Sequence, residues 1–190
     1  MEVPFSRPEC DETEIQEVIE VIRSGWLTTA SRCSKFEQDF ASYIGARHAL
    51  AVNSATAALH LGLEALGISS GDAVIVPTFT FTASAEVVRY LGADPVFVDC
   101  DPETFCITRK EIEKAIDNQK NDKKLKAIIP VHFGGHPCDM DNIMSFARRN
   151  NLYVIEDAAH ALPTRFGKKL VGTFGDVTCF SFYANKTMTT

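Results

Sequence analysis

Between positions 48 and 156 the sequence repeats one pattern. A short, wholly apolar run is followed by a longer stretch with helical spacing, and then by another apolar run. The strand-like runs are 49–52, 73–76, 95–98, 125–131 and 152–156, with a further one at 177–182. Helical patterns occupy 55–66, 81–91, 110–118 and 140–150. A strand apolar at every position is buried on both faces, and helices between such strands supply the right-handed crossovers that parallel pairing needs. The expected fold is therefore α/β, a three-layer α/β/α arrangement around a mostly parallel sheet. The domain plan is a helical segment over 1–47 and the α/β layers over 48–190. Ligands of such sheets bind at the carboxyl ends of the strands, near helix N-termini.

The leading segment reads as two helices. Over 11–24, Ile15, Val18, Ile19 and Ile22 fall on one face, acids occupy the first turn and Gly25 is a stop. A loop over 26–33 leads to a second helix, 35–44, whose apolar face is Phe36, Phe40, Tyr43 and Ile44. Net charge is −6 and the pI about 5.4, which leaves no basic footprint for nucleic acid. The cluster Lys120, Lys123, Lys124 and Lys126, interleaved with Asn121 and Asp122, reads as a solvated polar connection. No apolar run approaches the roughly 20 residues that cross a bilayer, and the acidic start lacks a signal-peptide core, so no membrane partner and a cytoplasmic location are expected. The six cysteines have irregular spacing and form no CxxC pair; reduced thiols and no structural zinc are the expectation.

Five stretches hold chemistry at the expected ligand edge. Asn53-Ser54-Ala55-Thr56 opens the first Ala/Leu-rich helix, either as a phosphate-binding helix start or as an ordinary Ser/Thr cap. It has no GxGxxG and no Walker lysine, which disfavours a dinucleotide or a nucleoside triphosphate. In Pro77-Thr78-Phe79-Thr80-Phe81-Thr82-Ala83-Ser84-Ala85 an aromatic can lie flat on a planar ring or serve as core. Asp157 ends an apolar strand ahead of Ala158-Ala159-His160; it is either a helix cap or a carboxylate able to keep a pyridine nitrogen protonated. His132-Phe133-Gly134-Gly135-His136-Pro137-Cys138-Asp139 has an H-x3-H spacing, but its glycines and proline preclude a helix presenting both rings to a metal, so a ligand-edge loop is expected and no metal. Last, Lys186 follows the run Phe180-Ser181-Phe182-Tyr183. A lone lysine beyond one strand and a carboxylate at the end of another are the pair that a pyridoxal-phosphate enzyme requires.

Taken together, NSATAAL, PTFTFTASA, GADPVFVDCDPETF, EDAAHALPT and FGDVTCFSFYANKTMTT resemble the DegT/DnrJ family of sugar aminotransferases, pyridoxal-phosphate enzymes of fold type I. The segment SGWLTTASRCSKFEQDFASYIGARHALAVNSATAAL resembles that family's opening, and the likeness runs over essentially the whole chain in the family's order. The resemblance implies that Lys186 is the Schiff-base lysine and Asp157 the partner of the pyridine nitrogen. It also implies that Phe81 stacks on the ring, that His160 lies near the cofactor's hydroxyl, and that Ala55, Thr56 and Ser181 hold the phosphate. Ala30 departs from a usual glycine, and Asn185 stands where Thr or Pro often precedes the lysine.

The implied reaction transfers an amino group from an amino acid, with glutamate the expected donor, to a nucleotide-linked keto-sugar in a homodimeric enzyme. On this reading 48–190 is the large cofactor-binding domain. The family's small C-terminal domain follows the lysine, so residues 1–190 are expected to be the N-terminal half and not to transaminate alone. Two other readings are a sugar dehydratase on the same scaffold, whose lysine is replaced by histidine, and a non-catalytic half-protein.

Overall fold

The computed structural model describes residue 4 and residues 7–117 and 124–189. These fall into two compact units, Met1–Ala51 with Phe182–Thr190, and Val52–Ser181. The first contains helices α1 (Glu12–Ser24) and α2 (Ser31–Ile44). The second contains α3 (Ala55–Ala65), β1 (Asp72–Pro77), α4 (Ala83–Tyr90), β2 (Asp94–Val98), α5 (Arg109–Asp117), β3 (Lys124–Ile128), α6 (Met140–Arg149), β4 (Tyr153–Ala158), the short hairpin strands β5 (Arg165–Phe166) and β6 (Lys169–Leu170), and β7 (Val177–Phe180).

The strands of the larger unit form one parallel sheet in the order β2-β1-β3-β4-β7, apart from the two-stranded hairpin. The α/β expectation is borne out, and the reason is visible in the period-two alternation of the strands. Val74 and Val76 of β1 pack with Ala127, Ile155 and Cys179 under Leu59 and Leu63 of α3 and Val87 and Val88 of α4. Their neighbours Ile75, Ile128 and Val154 point the other way, against Ile112 of α5 and Ile143 and Phe146 of α6. All six residues of β1 are buried, and each fully buried Val or Ile contributes roughly 1.5–3 kcal/mol. Gly62 lets α3 lie close on β7: a Cβ there would stand 3.1 Å from Val177 Cγ1.

In the smaller unit α1 begins with a capping box, Asp11 accepting from Thr13 N–H while Glu14 reaches back to Asp11 N–H, and it ends at Gly25 with φ 72°. None of its residues is buried; Ile15, Val18 and Ile22 are exposed. On α2, Phe36 and Phe40 close around Phe182, with ring centroids 5.2 and 5.4 Å from it. Ile44 is buried and Tyr43 exposed, so only part of the expected apolar face packs.

Several boundaries differ from the sequence reading. The run 49–52 is not a strand: it ladders with no described residue, and Leu50 is 85% exposed. An apolar run becomes a strand only when a neighbour takes its backbone hydrogen bonds, and here Ala51 N–H donates to the Glu37 carboxylate instead. Helix α2 starts at Ser31, not at 35. Its N-cap is the extended Ala30, which offers no side-chain cap, so the start carries no signature in the sequence. The strand expected over 125–131 ends at Ile128, although Ile129 N–H still donates to Ile75 O and Val131 bridges Asp157. The basic cluster is corrected too. Lys124 and Lys126 belong to β3, and Lys126 Nζ binds Gly67 O and lies 3.2 Å from Asp72 Oδ2, while Lys120, Asn121, Asp122 and Lys123 lie outside the described residues. Among the described residues no helix is long and apolar enough to cross a membrane.

Candidate active site at the carboxyl edge of the sheet

Two adjacent carboxylates end β4, and the strand's alternation sends them to opposite faces. Asp157 follows Ile155 toward the α3/α4 side, and Glu156 follows Val154 toward the α5/α6 side. Asp157 is 6% exposed and its backbone is fixed on both sides: its N–H donates to Pro130 O at 2.9 Å, and His132 N–H donates to its carbonyl at 3.1 Å. Ser84, fully buried in the first turn of α4, donates its hydroxyl to Asp157 Oδ2 at 2.8 Å. Thr80 Oγ1 lies 2.8 Å from Ser84 Oγ. Because an ionised carboxylate only accepts, Ser84 gives its proton to Asp157 and Thr80 donates to Ser84. Ala159 N–H donates to Oδ1 at 3.2 Å. No cation among the described residues pairs with Asp157. Its oxygens are held by two neutral donors, and an ionised carboxylate has capacity for more.

Glu156 is fully buried and fully engaged. Oε1 accepts from Gly175 N–H (2.7 Å), Thr178 Oγ1 (2.8 Å) and Phe174 N–H (3.3 Å), and Oε2 accepts from His132 Nε2 (3.0 Å). Cys138 N–H donates to His132 Nδ1 at 3.1 Å, so the ring carries its hydrogen on Nε2 and points it at Glu156. Burial pushes the Glu156 carboxyl up, but His132, Gly175 and Thr178 outweigh it, and the net value lies below the ordinary one. Gly175 must be glycine for this contact: a Cβ would sit 2.7 Å from Val154 O. His132, half of the H-x3-H pattern, is thus consumed by a structural pair, and among the described residues no cluster of three or more potential metal ligands converges.

The other expected residues of the larger unit gather around Asp157's end of the sheet. Ala55 and Thr56 are half-buried in the first turn of α3. Ser54 caps that helix through Ala57 N–H, and Ala58 N–H takes Ser54 O, which leaves the N–H groups of Ala55 and Thr56 at the open helix end. Phe81 precedes α4 and is 77% exposed. His160 is exposed in the turn after β4, its ring 6.4 Å from that of Phe133. The turn 133–135 lies against it so closely that a Cβ on Gly135 (φ 85°) would stand 2.8 Å from His160 O. Ser181 is half-buried directly after β7. Lys186 belongs to the smaller unit: it is half-buried in a turn where its N–H donates to Tyr183 O at 2.8 Å, and Thr189 Oγ1 donates to Phe182 O.

The sequence reading missed Ser84, Thr80 and the His132–Glu156 pair. The first two had a signal, since hydroxyls four apart across a helix start can face the same strand end. The pair had none.

Comparison with known proteins fits this architecture. The chain is 46% identical to the spore coat polysaccharide biosynthesis protein SpsC of Bacillus subtilis, over 99% of this chain and 47% of that one. It is also 46% identical to GDP-perosamine synthase of Escherichia coli O157:H7, over 99% and 50%. A putative sugar aminotransferase from Streptococcus pneumoniae, solved in PMP- and PLP-forms, superposes with a TM-score of 0.90 at 36% identity, over 98% of this chain and 50% of that one. The chain thus spans about half the length of the curated relatives it matches. A family model matches residues 8–190, and the chain belongs to the DegT/DnrJ/EryC1/StrS aminotransferase family.

Proposed function

We propose that this chain binds pyridoxal phosphate and serves an aminotransferase that moves an amino group from an amino acid, glutamate being the expected donor, to a nucleotide-linked keto-sugar. The observation that carries the reading is Asp157: a carboxylate at the end of a buried strand, aligned by Ser84 and Ala159 and countered by no cation among the described residues. That donor set suits a protonated pyridine nitrogen, which would supply the missing positive charge. The sugar class comes from the relatives, one named for polysaccharide biosynthesis and one for GDP-perosamine.

When bound, the cofactor supplies an electron sink for the bond changes at the substrate's amino-bearing carbon. The chain's own groups do the rest. Asp157 accepts the hydrogen bond of the pyridine nitrogen and keeps it charged. The open N–H groups of Ala55 and Thr56, with the Thr56 and Ser181 hydroxyls, hold the phosphate at a helix N-terminus, where the dipole favours an anion. Phe81 covers one ring face, and His160 serves the ring hydroxyl. Lys186 would hold the cofactor through its Nζ and, once the amino donor had displaced it, the free amine would carry a proton to and from the substrate carbon. Residues 48–190 are the large cofactor-binding domain on this proposal, and the working enzyme is a cytoplasmic homodimer.

The test is chemical. Protein incubated with pyridoxal phosphate and reduced with borohydride should carry a pyridoxyl mass on Lys186 after peptide mapping. Modification confined to other lysines would overturn the assignment.

A further inference from the structure

We propose that Cys106 and Cys138 form a redox-active dithiol that closes to an intramolecular disulfide when a hydroperoxide is present. The two residues come from different loops, Cys106 between β2 and α5 and Cys138 just before the cap of α6. Their sulfurs converge on one acceptor: Cys106 Sγ lies 3.7 Å and Cys138 Sγ 3.2 Å from Val131 O, and Cys106 Sγ is also 3.6 Å from His136 O. Both side chains are buried, at 3% and 0% exposure, so the two thiols meet each other before any bulk thiol.

The environment divides their roles. Interaction with the Cys138 side chain, against the opposing effect of burial and with help from Phe133 N–H, lowers the Cys106 thiol. The same interaction, with burial, pushes the Cys138 thiol up. Cys106, at 3% exposure against 0% for Cys138, is the sulfur that a small oxidant meets first, so Cys106 is the nucleophile and Cys138 the resolving thiol. The Cys106 sulfur attacks one oxygen of the hydroperoxide, the O–O bond breaks, the other oxygen leaves as alkoxide or hydroxide and takes up the proton that the Cys106 thiol gave up, and the sulfur becomes a sulfenic acid. Cys138 sulfur then attacks that sulfur, the S–O bond breaks, and the departing hydroxide takes the Cys138 proton. In sum two thiols lose two electrons and the peroxide leaves, for hydrogen peroxide, as two waters. Cys179, whose thiol is pushed up by burial and by the charges of Asp157 and Glu156, packs among aliphatic side chains with no cysteine acting on it among the described residues, and stays reduced. The cross-link would tie the two loops together beside Val131, the residue bridged to Asp157.

The folded protein, fully reduced, is treated with one equivalent of hydrogen peroxide and alkylated with N-ethylmaleimide. It is then cleaved after glutamate, so that the cut at Glu103 separates Cys100 from Cys106. The expected product is a peptide pair joining Cys106 to Cys138, lighter by two hydrogens than the reduced pair, with Cys179 unoxidised. In Cys138→Ser, Cys106 should instead be trapped as the sulfenic acid by dimedone. Recovery of Cys106 and Cys138 both unoxidised, or a cross-link from Cys100 to Cys106 in place of the expected one, would overturn the proposal.

Discussion

Glu156 and Asp157 are neighbours in sequence and opposites in use. Glu156 takes four donors from four residues in a fully sealed pocket and has nothing left to offer. Asp157 takes two, from Ser84 and Ala159, and lies at the rim with a small exposed fraction. One step along a strand turns a carboxylate from a brace into a group with spare capacity. The brace ties β4 to the loop before β7 and to the loop after β3. The spare group is what those ties hold still. The lesson is that a buried acid is a candidate for chemistry when its hydrogen bonding is incomplete, not because it is buried.

The largest expected effect is at Asp157. Asp157→Asn keeps the shape but can no longer hold a positive partner, so amino transfer by the full-length enzyme carrying it should fall about 10²–10³-fold, the range seen when one aligned electrostatic group is removed. Its unfolding free energy should change by no more than about 1 kcal/mol. Turnover near the parental rate would make Asp157 a second brace and erase the contrast. Glu156→Gln should do the reverse. The amide nitrogen must face at least one of the donors His132, Gly175, Phe174 or Thr178, leaving buried N–H or O–H groups unpaired at a cost of about 3 kcal/mol. Urea unfolding checks this, and a loss under about 1 kcal/mol would mean that the pocket relaxes and is no brace.

Much of this was readable before any coordinates. The layers followed from the apolar runs because residues such as Val74, Ile75 and Val76 are buried on alternating faces, as a strand covered on both sides requires. The carboxyl end of β4 stood out because Glu156 and Asp157 interrupt such a run. Which of the two was free was not readable. That depended on Gly175, Thr178 and His132, brought in from other strands and loops, and contacts between distant positions leave no local period. The run 49–52 misled for the same reason, since apolarity signals burial but not the presence of a ladder partner. Lys126 misled in the other direction: its neighbours are charged, yet β3 carries it to Asp72, a partner far away in the sequence.

A smaller effect is expected at Ser84. Ser84→Ala removes the donor to Asp157 Oδ2 and leaves the Thr80 hydroxyl without its acceptor. A hydrogen bond to a charged group contributes about 1.5–3 kcal/mol, and water reaching the rim should recover part of it, so the loss of stability should be about 1 kcal/mol. The sharper readout is pyridoxal-phosphate affinity, which should weaken about tenfold because the carboxylate proposed to face the ring nitrogen is no longer held to one orientation. If stability falls and cofactor affinity does not, Ser84 packs α4 on the sheet and does not align Asp157.

The smallest effect tests the brace at Glu156 by pH. The Glu156 carboxyl has a folded-state value below its ordinary 4.5 because its donors outweigh burial. A depressed carboxyl adds stability that is present above its unfolded value and is lost as pH falls through the lower folded one. Below that window both states hold the proton, and the charge no longer favours folding. The stability gap between the parent protein and Glu156→Gln should therefore be constant near neutrality and shrink below about pH 4.5, with a slope of at most about 1.4 kcal/mol per pH unit, one proton's worth. Asp72, lowered by Ser69 and Lys126 against its own burial, adds a second loss of the same sign that begins from its ordinary 3.8, and Asp72→Asn should remove that later part alone. Thermal melts of the three proteins from pH 7 to pH 3 would show it. A gap between parent and Glu156→Gln that stays constant through pH 4 would mean that the carboxylate's charge contributes nothing, and that the pocket is held by shape and neutral hydrogen bonds.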